Sequence, residues 1–301
     1  MNRTKKLVVV LGPTAVGKTA FAIELAKAFN TEIVSSDSRQ FFHELNIGVA
    51  RPSVAELAAV KHHFIDFISI QESFSAGAYE RAALAKLEEL FIQNDVVVCC
   101  GGSMLYIDAL VDGLDELPSD TAVRNDLKVI LKEKGIESLQ EELKLRDPVY
   151  FNQVDTNNPH RLIRALEVCR ITSGHYSSLR KSSSIERNFD IVKIGLTVER
   201  DWLYIRINQR VEHMMQCGLL DEVKMLIPFQ DLNALNTVGY KELFDYFEGK
   251  HSLDKSVDLI KQHTRNFAKR QLTWWKRDQD IQWFSPDDKS ALTSVISLVS
   301  N

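Results

Sequence analysis

Short apolar runs alternate with amphipathic stretches over the first third of the chain. The runs 5–11, 32–37 and 95–100 are rich in valine and isoleucine and are bounded by turn residues. The stretches 19–29 and 80–91 place their apolar residues at the spacing of one helix face. Continuous apolar strands separated by helices are typical of a parallel sheet that is buried on both faces. The pattern therefore predicts a doubly wound α/β core.

The pattern changes after Gly113. Residues 114–173 are polar with helical periodicity and contain no β-like run, whereas the apolar run 190–198 predicts another buried strand. A chain that leaves the sheet and returns to it indicates an insertion. We therefore expect an α/β catalytic core formed by 1–113 and 190–301, and a helical insertion domain formed by 114–189.

One helix of the insertion carries a complete set of end signals. Asn158 precedes Pro159 and is the predicted N-cap, while Gly174 is the predicted C-cap. The serine-rich segment 175–188 that follows predicts a flexible connection back to the core.

Composition narrows the class of protein. The 301 residues are 45% hydrophobic and 26% charged, which is ordinary for a globular protein with a sizeable core. A formal net charge of −4 excludes attraction of nucleic acid to the whole surface, so RNA binding would need a local basic patch. No stretch approaches the roughly 18 apolar residues of a membrane span, and we expect a cytoplasmic protein without a membrane partner. The eight histidines lack ligand spacing and are assigned to structure or surface.

The segment GPTAVGKT at 12–19 predicts a phosphate-binding loop. Gly12, Gly17, Lys18 and Thr19 match G-x-x-x-x-G-K-[ST], in which backbone N–H groups surround a phosphate, the lysine binds its outer oxygens and the threonine binds Mg²⁺. A predicted strand precedes the loop and a predicted helix follows it, as this motif requires. The motif alone indicates a bound di- or triphosphate.

Neighbouring residues bear on the chemistry. A nucleotide-hydrolysing protein of this fold has a second apolar strand that ends in aspartate, but the run 95–100 is followed by Gly101, Gly102 and Ser103. A carboxylate instead ends the run 32–37, where Asp37 is expected at the carboxyl edge of the sheet. From the residues alone, a general base and a helix cap or metal-supporting residue are equally good interpretations of Asp37.

Cations are concentrated in 255–277, where Lys261, Arg265 and Lys269 recur along one predicted helix face. Such a stripe suits contacts with an RNA backbone, and we favour that interpretation over a solvated surface. Trp274 and Trp275 are expected in the core. Arg206 and Arg210 lie four apart after the strand 190–198, which would let Arg206 reach a leaving diphosphate.

Several separated segments together resemble one family. GPTAVGKT, SSDSRQ, HHFIDF, CCGGSMLYIDALVDGL, NNPHRLIRALEV, LNTVGYKEL and AKRQLTWW, in this order, are similar to the tRNA dimethylallyltransferases, also called tRNA isopentenyltransferases. The similarity runs from about Leu7 to Trp283. It implies a P-loop NTPase-like parallel sheet core and transfer of a dimethylallyl group from dimethylallyl diphosphate to N6 of the adenine 3′ of the anticodon, with release of diphosphate.

The resemblance also implies the roles of individual residues. Asp37 matches the base that accepts a proton from N6, and Arg206 matches an arginine that stabilises the leaving diphosphate together with Lys18, Thr19 and Mg²⁺, for which Thr19 is the expected ligand. The residues expected to hold the diphosphate are Gly12, Pro13, Thr14, Ala15, Val16, Gly17, Lys18 and Thr19.

For the tRNA anticodon stem-loop, the resemblance implies contacts in both domains, and it makes 114–189 the domain that closes over the anticodon arm of tRNA. We expect a monomer. The residues expected to bind tRNA are Asp37, Ser38, Arg39, Gln40, Ser103, Arg124, Arg161, Leu162, Ile163, Arg164, Ala165, Thr237, Gly239, Tyr240, Lys241, Lys269, Arg270, Gln271 and Thr273.

The chain departs from the family pattern at a few positions. Ser103 replaces an expected threonine, and Val49 and Arg51 stand where the usual segment reads closer to IGTAKP. Other functions stay open beside the leading one. A small-molecule or nucleotide kinase would use the loop for ATP and Asp37 to activate a hydroxyl, an adenylate isopentenyltransferase would prenylate free adenine nucleotides, and an RNA-binding protein would use a nucleotide as a switch.

Overall fold

A single parallel sheet forms the centre of the α/β core. The computed structural model describes residues 5–180 and 185–301, and within these ranges six strands pair in the order β3-β2-β4-β1-β5-β6. All their ladders are parallel, which confirms the predicted fold class. The strands are β1 (Lys6–Leu11), β2 (Ile33–Ser35), β3 (His62–His63), β4 (Val96–Cys100), β5 (Asp190–Leu196) and β6 (Gln282–Phe284).

The central strand β1 shows why the sheet is buried on both faces. Side chains alternate across a strand, and almost every position of β1 is apolar. Val8 and Val10 pack into the cluster formed with α1, α10 and α14, whereas Leu7 and Val9 pack into the cluster on the opposite face. The carboxyl ends of the parallel strands meet at one edge, where the loops that follow β1, β2 and β4 come together.

Helices surround the sheet and build the insertion. Before the insertion the core contains α1 (Lys18–Ala28), α2 (Val54–Ala59), α3 (Ala76–Gln93) and α4 (Met104–Val111). The insertion contains α5 (Thr121–Lys134), α6 (Ile136–Arg146), α7 (Pro148–Phe151), α8 (Pro159–Thr172) and α9 (Tyr176–Leu179). The core resumes with β5, which is followed by α10 (Arg200–Gln216), α11 (Leu219–Met225), α12 (Tyr240–Phe247), α13 (Leu253–Trp275) and α14 (Ala291–Ser300).

The chain divides into two compact units, one formed by Met1–Val111 and Glu186–Asn301 and the other by Asp112–Ile185. We call the first the core unit and the second the helical unit. The helical unit has a hydrophobic centre of its own, in which Leu127, Leu143 and Leu162 are fully buried. It contains α5–α9, and none of the described strands belongs to it.

One detail of the predicted insertion helix differs from the structure. The Asn158 side chain accepts a hydrogen bond from the Arg161 N–H and caps α8 as predicted, and Pro159 occupies its first turn. The predicted C-cap Gly174 is wrong, because α8 ends at Thr172 and its C-cap is Ser173, which adopts the left-handed conformation with φ 55°. The predicted flexible segment 175–188 contains the short helix α9, while 181–184 lie outside the described residues.

Over the ranges that the structure describes, no helix is both long and apolar enough to cross a membrane.

Candidate active site

The phosphate loop leads from β1 into α1 at the carboxyl edge of the sheet. Gly12 has φ 147°, and a Cβ there would lie 2.5 Å from the Leu196 carbonyl oxygen, so this position requires glycine. Gly17 caps α1 with φ 108°, which directs the first amides of the helix towards the loop. The N-terminus of α1 thereby provides N–H groups and a partial positive charge for an anion.

The Lys18 ammonium lies within this loop. It donates hydrogen bonds to the carbonyl oxygens of Gly12 and Pro13, both at 2.9 Å. Burial disfavours the charged form and lowers the Lys18 pKa from 10.5 to about 8. A bound anion would oppose this effect, because a negative charge beside the ammonium stabilises its protonated form.

A cavity of about 440 Å³, which we call the loop cavity, opens above the phosphate loop. Its wall combines cations, the Thr19 hydroxyl and a carboxylate, which is the mixture expected for a bound diphosphate and a divalent cation. The residues that line it and were predicted as site residues are Thr14, Ala15, Gly17, Lys18, Thr19, Asp37, Gln40 and Arg206.

Asp37 follows the end of β2 and is held by its local turn. Its Oδ1 accepts a hydrogen bond from the Arg39 N–H at 3.0 Å, the arrangement of an Asx-turn. The adjacent Ser38 is tied to the turn after β4, since its N–H donates to Ser103 Oγ at 2.8 Å. These bonds bring the loops after β2 and β4 together and fix Asp37 at the sheet edge.

A second cavity, about 870 Å³ in volume, lies on the other side of Asp37, and we call it the wide cavity. Thr14, Asp37 and Arg210 line both cavities, so the two meet at these side chains. The wide cavity contains apolar surface from Met214 and Phe267 beside polar groups such as His263. A carboxylate at the junction can contact one molecule on the phosphate loop and another in the wide cavity.

Helix α10 supplies the arginines at this junction. Arg206 and Arg210 lie one turn apart, so that their side chains project from the same face. Arg206 donates to the Val16 carbonyl oxygen at 3.3 Å and to Asp287 Oδ1 at 2.6 Å. Arg210 donates to Thr14 Oγ1 at 3.3 Å, and its burial lowers its pKa. Both guanidinium groups thus contact the phosphate loop.

The donor groups in the loop cavity fit Mg²⁺. The Thr19 hydroxyl supplies a hard oxygen ligand, and the oxygens of a bound diphosphate would supply others. No cluster of three or more His, Cys, Asp or Glu residues that could hold a metal occurs within 5–180 and 185–301. Mg²⁺ does not require one, because it commonly uses one or two protein ligands together with substrate phosphates and water.

Comparisons with known proteins show the family to which the chain belongs. The family model described as IPP transferase matches residues 40–278. A protein named tRNA dimethylallyltransferase from Christiangramia forsetii is 50% identical over 285 residues, which cover 94% of each chain. The chain belongs to the tRNA dimethylallyltransferase family.

Solved structures of the family have the same fold. The crystal structure of a tRNA isopentenylpyrophosphate transferase from Bacillus halodurans matches with a TM-score of 0.73 and 34% identity, covering 98% of this chain and 96% of that one. A eukaryotic dimethylallyltransferase, described as acting on tRNA, matches with a TM-score of 0.81 over 99% of this chain and 79% of that one. Because it is 24% identical, it supports the fold alone.

Many of the tRNA contacts expected for the family lie at the wide cavity. Arg39 lines it while donating to the carbonyl oxygens of Asn233 and Ala234, and Gln40 turns away to the loop cavity, where it donates to the Val49 and Ala50 carbonyl oxygens. The predicted tRNA-binding residues that line the wide cavity are Asp37, Ser38, Arg39, Ser103, Thr237, Gly239, Lys241 and Arg270.

Other residues that were predicted to bind tRNA or diphosphate lie outside the linings of the two cavities. Tyr240 is 0% exposed and Gln271 is 1% exposed, so their side chains lie beneath the surface, and their RNA contacts stay predictions. Lys269 and Thr273 are exposed on α13 outside the linings of both cavities. Within the loop itself, Gly12, Pro13 and Val16 are buried and support the exposed members.

Two of the three cations in the predicted stripe on α13, Lys261 and Arg265, already have partners within the protein. Lys261 forms a 2.9 Å ion pair with Glu212, and Arg265 donates to Asn208 Oδ1 at 2.6 Å. Both partners belong to α10, so these two cations join α10 and α13, and their contact with RNA stays a prediction. Trp275 is buried as expected, and Trp274 donates its indole N–H to Asp108.

In the helical unit, the family pattern PHRLIRALEV forms the centre of α8. Leu162, Ile163 and Ala165 are at most 7% exposed and pack in the hydrophobic centre, and their RNA contacts stay predictions. Arg124 and Arg164 both donate to the buried Glu167. Arg161 is exposed, and its RNA contact stays a prediction.

Three residues that line the wide cavity belong to none of the sequence motifs. Arg210, His251 and His263 line the wide cavity, although the histidines were assigned to structure or surface. His263 Nδ1 contacts the Glu242 carboxylate, which in turn accepts from the Gly239 N–H at 2.8 Å. The spacing of Arg210 from Arg206 was a signal for its position, whereas isolated histidines in a sequence carry none.

Proposed function

We propose that this protein transfers a dimethylallyl group from dimethylallyl diphosphate to N6 of the adenine 3′ of the anticodon in tRNA and releases diphosphate. Membership in the tRNA dimethylallyltransferase family supports a tRNA prenyltransferase activity. The observation that carries the detailed proposal is the position of Asp37, which lines both the loop cavity and the wide cavity.

The donor diphosphate binds in the loop cavity. Backbone N–H groups at the start of α1 and the Lys18 ammonium contact its oxygens, and Arg206 approaches from α10. As the allylic C–O bond breaks, negative charge accumulates on the leaving diphosphate, and these fixed donors stabilise it.

The target adenine occupies the wide cavity. An adenine stacked in an RNA loop has to be turned out before its N6 can reach a buried donor. The N6 lone pair forms the new bond to the allylic carbon, the electrons of the C–O bond leave with the diphosphate, and the Asp37 carboxylate accepts the N6 proton. Phe267 and Arg270 line this cavity, with Arg270 Cζ 5.7 Å from the centroid of the Phe267 ring, and both provide flat surfaces on which a base can stack.

Thr19 would hold Mg²⁺ in the loop cavity. When bound, Mg²⁺ supplies Lewis-acid stabilisation of the diphosphate oxygens.

Product analysis tests the proposal. Purified protein is incubated with Mg²⁺ and labelled dimethylallyl diphosphate, in parallel with unmodified tRNA and with AMP, and the nucleosides are analysed. We expect label in N6-modified adenosine from tRNA only. Label in AMP would instead identify an adenylate isopentenyltransferase, and ATP consumption without prenyl transfer would identify a kinase. Tight tRNA binding without product from any donor would identify a non-catalytic RNA-binding protein.

A monomeric state, a cytoplasmic location and the closing of 114–189 over the anticodon arm stay predictions.

A further inference from the structure

Gln271 occupies an unusual position on α13. Its neighbours Lys269, Arg270 and Thr273 are exposed, whereas Gln271 is 1% exposed and faces the sheet edge. A glutamine buried to this extent needs partners for both ends of its amide. The partners show what the side chain does.

Both ends of the Gln271 amide bind backbone atoms at the active site. Its Oε1 accepts a hydrogen bond from the Thr14 N–H at 2.8 Å, within the phosphate loop. Its Nε2 donates to the Gly102 carbonyl oxygen at 2.7 Å, in the turn after β4. One side chain therefore joins the loop that follows β1 to the turn that follows β4.

The phosphate loop needs such a support. Ala15, the residue after Thr14, has φ 65°, a left-handed conformation that residues other than glycine adopt only when their surroundings impose it. Within the loop, the Val16 N–H donates to the Pro13 carbonyl oxygen at a long 3.3 Å. The shorter bond from Thr14 to Gln271 fixes the backbone immediately before the strained residue.

The turn after β4 is shaped to receive this amide. A Cβ on Gly102 would lie 2.7 Å from Gln271 Nε2, so that any larger residue would displace the glutamine. The same Cβ would lie 3.7 Å from Lys18 Nζ, which places the turn next to the phosphate-binding lysine. The next residue, Ser103, bonds to Ser38 beside Asp37. Gln271 is thus connected to the phosphate loop and to the turn that supports the proposed base.

We propose that Gln271 is a positioning residue, which holds the phosphate loop in its diphosphate-binding conformation and at a fixed distance from the turn after β4. The inference rests on the proposed function, since it concerns the donor of that reaction. Gln271 itself lies outside the linings of both cavities, so it acts through the Thr14 and Gly102 backbone. Binding of the diphosphate donor should therefore depend on Gln271, although its neighbours on α13 are expected to contact tRNA.

The test compares Gln271→Met with Gln262→Met. Methionine has a similar volume but forms neither hydrogen bond, and Gln262 is an exposed glutamine of the same helix. Binding of inorganic diphosphate and of dimethylallyl diphosphate, each with Mg²⁺, is measured by calorimetry, and binding of an anticodon stem-loop is measured separately. For Gln271→Met we expect both diphosphate dissociation constants to rise about tenfold, equivalent to about 1.4 kcal/mol, with unchanged RNA affinity. Gln262→Met should match the wild type.

Gly102→Ala disturbs the same Gln271–Gly102 hydrogen bond by changing its acceptor residue. This variant tests the positioning role if Gln271→Met does not fold. The φ of Gly102 is compatible with alanine, and the new methyl group would push the Gln271 amide away. In steady state, both variants should raise the KM for the donor and leave the KM for tRNA unchanged. Wild-type donor affinity in both variants, or equal losses of donor and RNA affinity, would overturn the positioning role. A wild-type protein that binds no diphosphate would instead refute the proposed function, and this inference with it.

Discussion

The Lys18 ammonium donates to the carbonyl oxygen of Gly12, the residue that opens the phosphate loop, at 2.9 Å. The Lys18 side chain therefore bends back onto the backbone of the phosphate loop. Carbonyl dipoles satisfy its hydrogen bonds but do not neutralise its charge, and its pKa is lowered accordingly. A diphosphate that enters the loop cavity exchanges these carbonyl oxygens for phosphate oxygens.

This relationship predicts a pH dependence of donor binding. Burial lowers the Lys18 pKa to about 8, so the free protein loses the ammonium charge as the pH rises through that value. We expect kcat/KM for the donor to fall above about pH 8, approaching tenfold per pH unit. Lys18→Arg keeps its charge throughout this range, so its profile should lack that decrease even if its rate is lower. An unchanged decrease in Lys18→Arg would assign the titration to another group.

The same pKa shift affects stability with a definite sign. Between about pH 8 and 10.5 the unfolded chain holds a proton on Lys18 that the folded chain has released. Burying the charged Lys18 therefore lowers the free energy of unfolding below pH 8. The free energy of unfolding rises as the pH increases from about 8 to 10.5.

Asp37→Asn separates catalysis from structure. The asparagine side-chain oxygen can still accept from the Arg39 N–H, so the turn that holds residue 37 is retained. The amide cannot accept the N6 proton, and we expect the transfer rate to fall about 10²–10⁴-fold while tRNA affinity is preserved. Single-turnover rates and stem-loop binding provide the two measurements. Asp231→Asn, at an exposed position, is the control, and parallel losses of rate and affinity in Asp37→Asn would indicate a binding role instead.

Arg206→Ala tests stabilisation of the leaving group. Arg206 lines the loop cavity, while Arg200 on the same helix is exposed and stacks on Tyr204. Loss of one donor to a developing charge typically costs about 10²–10³ in kcat, and we expect that decrease for Arg206→Ala with unchanged tRNA binding. Arg200→Ala should keep the wild-type rate. A kcat close to that of the wild type in Arg206→Ala would exclude the proposed role.

The sequence was sufficient for the sheet and the phosphate loop, because both depend on local patterns. The short, valine-rich run KLVVVL before a glycine loop favours a strand buried on two faces, and the spacing of Gly12 and Gly17 follows from backbone conformation. Proximity in sequence to a functional motif was less informative about the role of a single residue. Gln271 lies in the segment expected to contact RNA, but the helical period turns it inward, and its partners Thr14 and Gly102 are distant in the chain.

The departures from the family pattern illustrate the same limit. Arg51 donates to the carbonyl oxygens of Phe42, His43 and Leu45 and pairs with Asp66, so it stabilises the loop after β2. Val49 uses its carbonyl oxygen to accept from Gln40, a contact that does not depend on its side chain. Neither role could be derived from residue type, because each depends on where the backbone of a different segment lies.

Glu167→Gln is expected to weaken the helical unit. Glu167 is fully buried and accepts from Arg124 at 2.9 Å, from Arg164 at 2.8 Å and from the Asp120 N–H at 2.9 Å. Burial alone would raise the pKa of Glu167, but these hydrogen bonds outweigh it and hold the pKa below the usual 4.5. Glutamine keeps one acceptor oxygen and replaces the other with an NH2 group, which only donates, so it loses either the bond from the Asp120 N–H or both arginine bonds. With the loss of the charge, this corresponds to about 2 kcal/mol of unfolding free energy.

Hydrogen exchange measures this loss where it occurs, in the amides of α5 and α8. Because the folded-state pKa of Glu167 is lowered, its contribution is complete above pH 4.5 and disappears as the pH falls through the folded-state pKa. Protection of the wild-type unit should therefore decrease in acid, whereas Glu167→Gln should start lower and change less. Glu133→Gln, on an exposed position of α5, is the matched control. Equal protection in the two variants at neutral pH would mean that the two arginines do not depend on Glu167 for their arrangement.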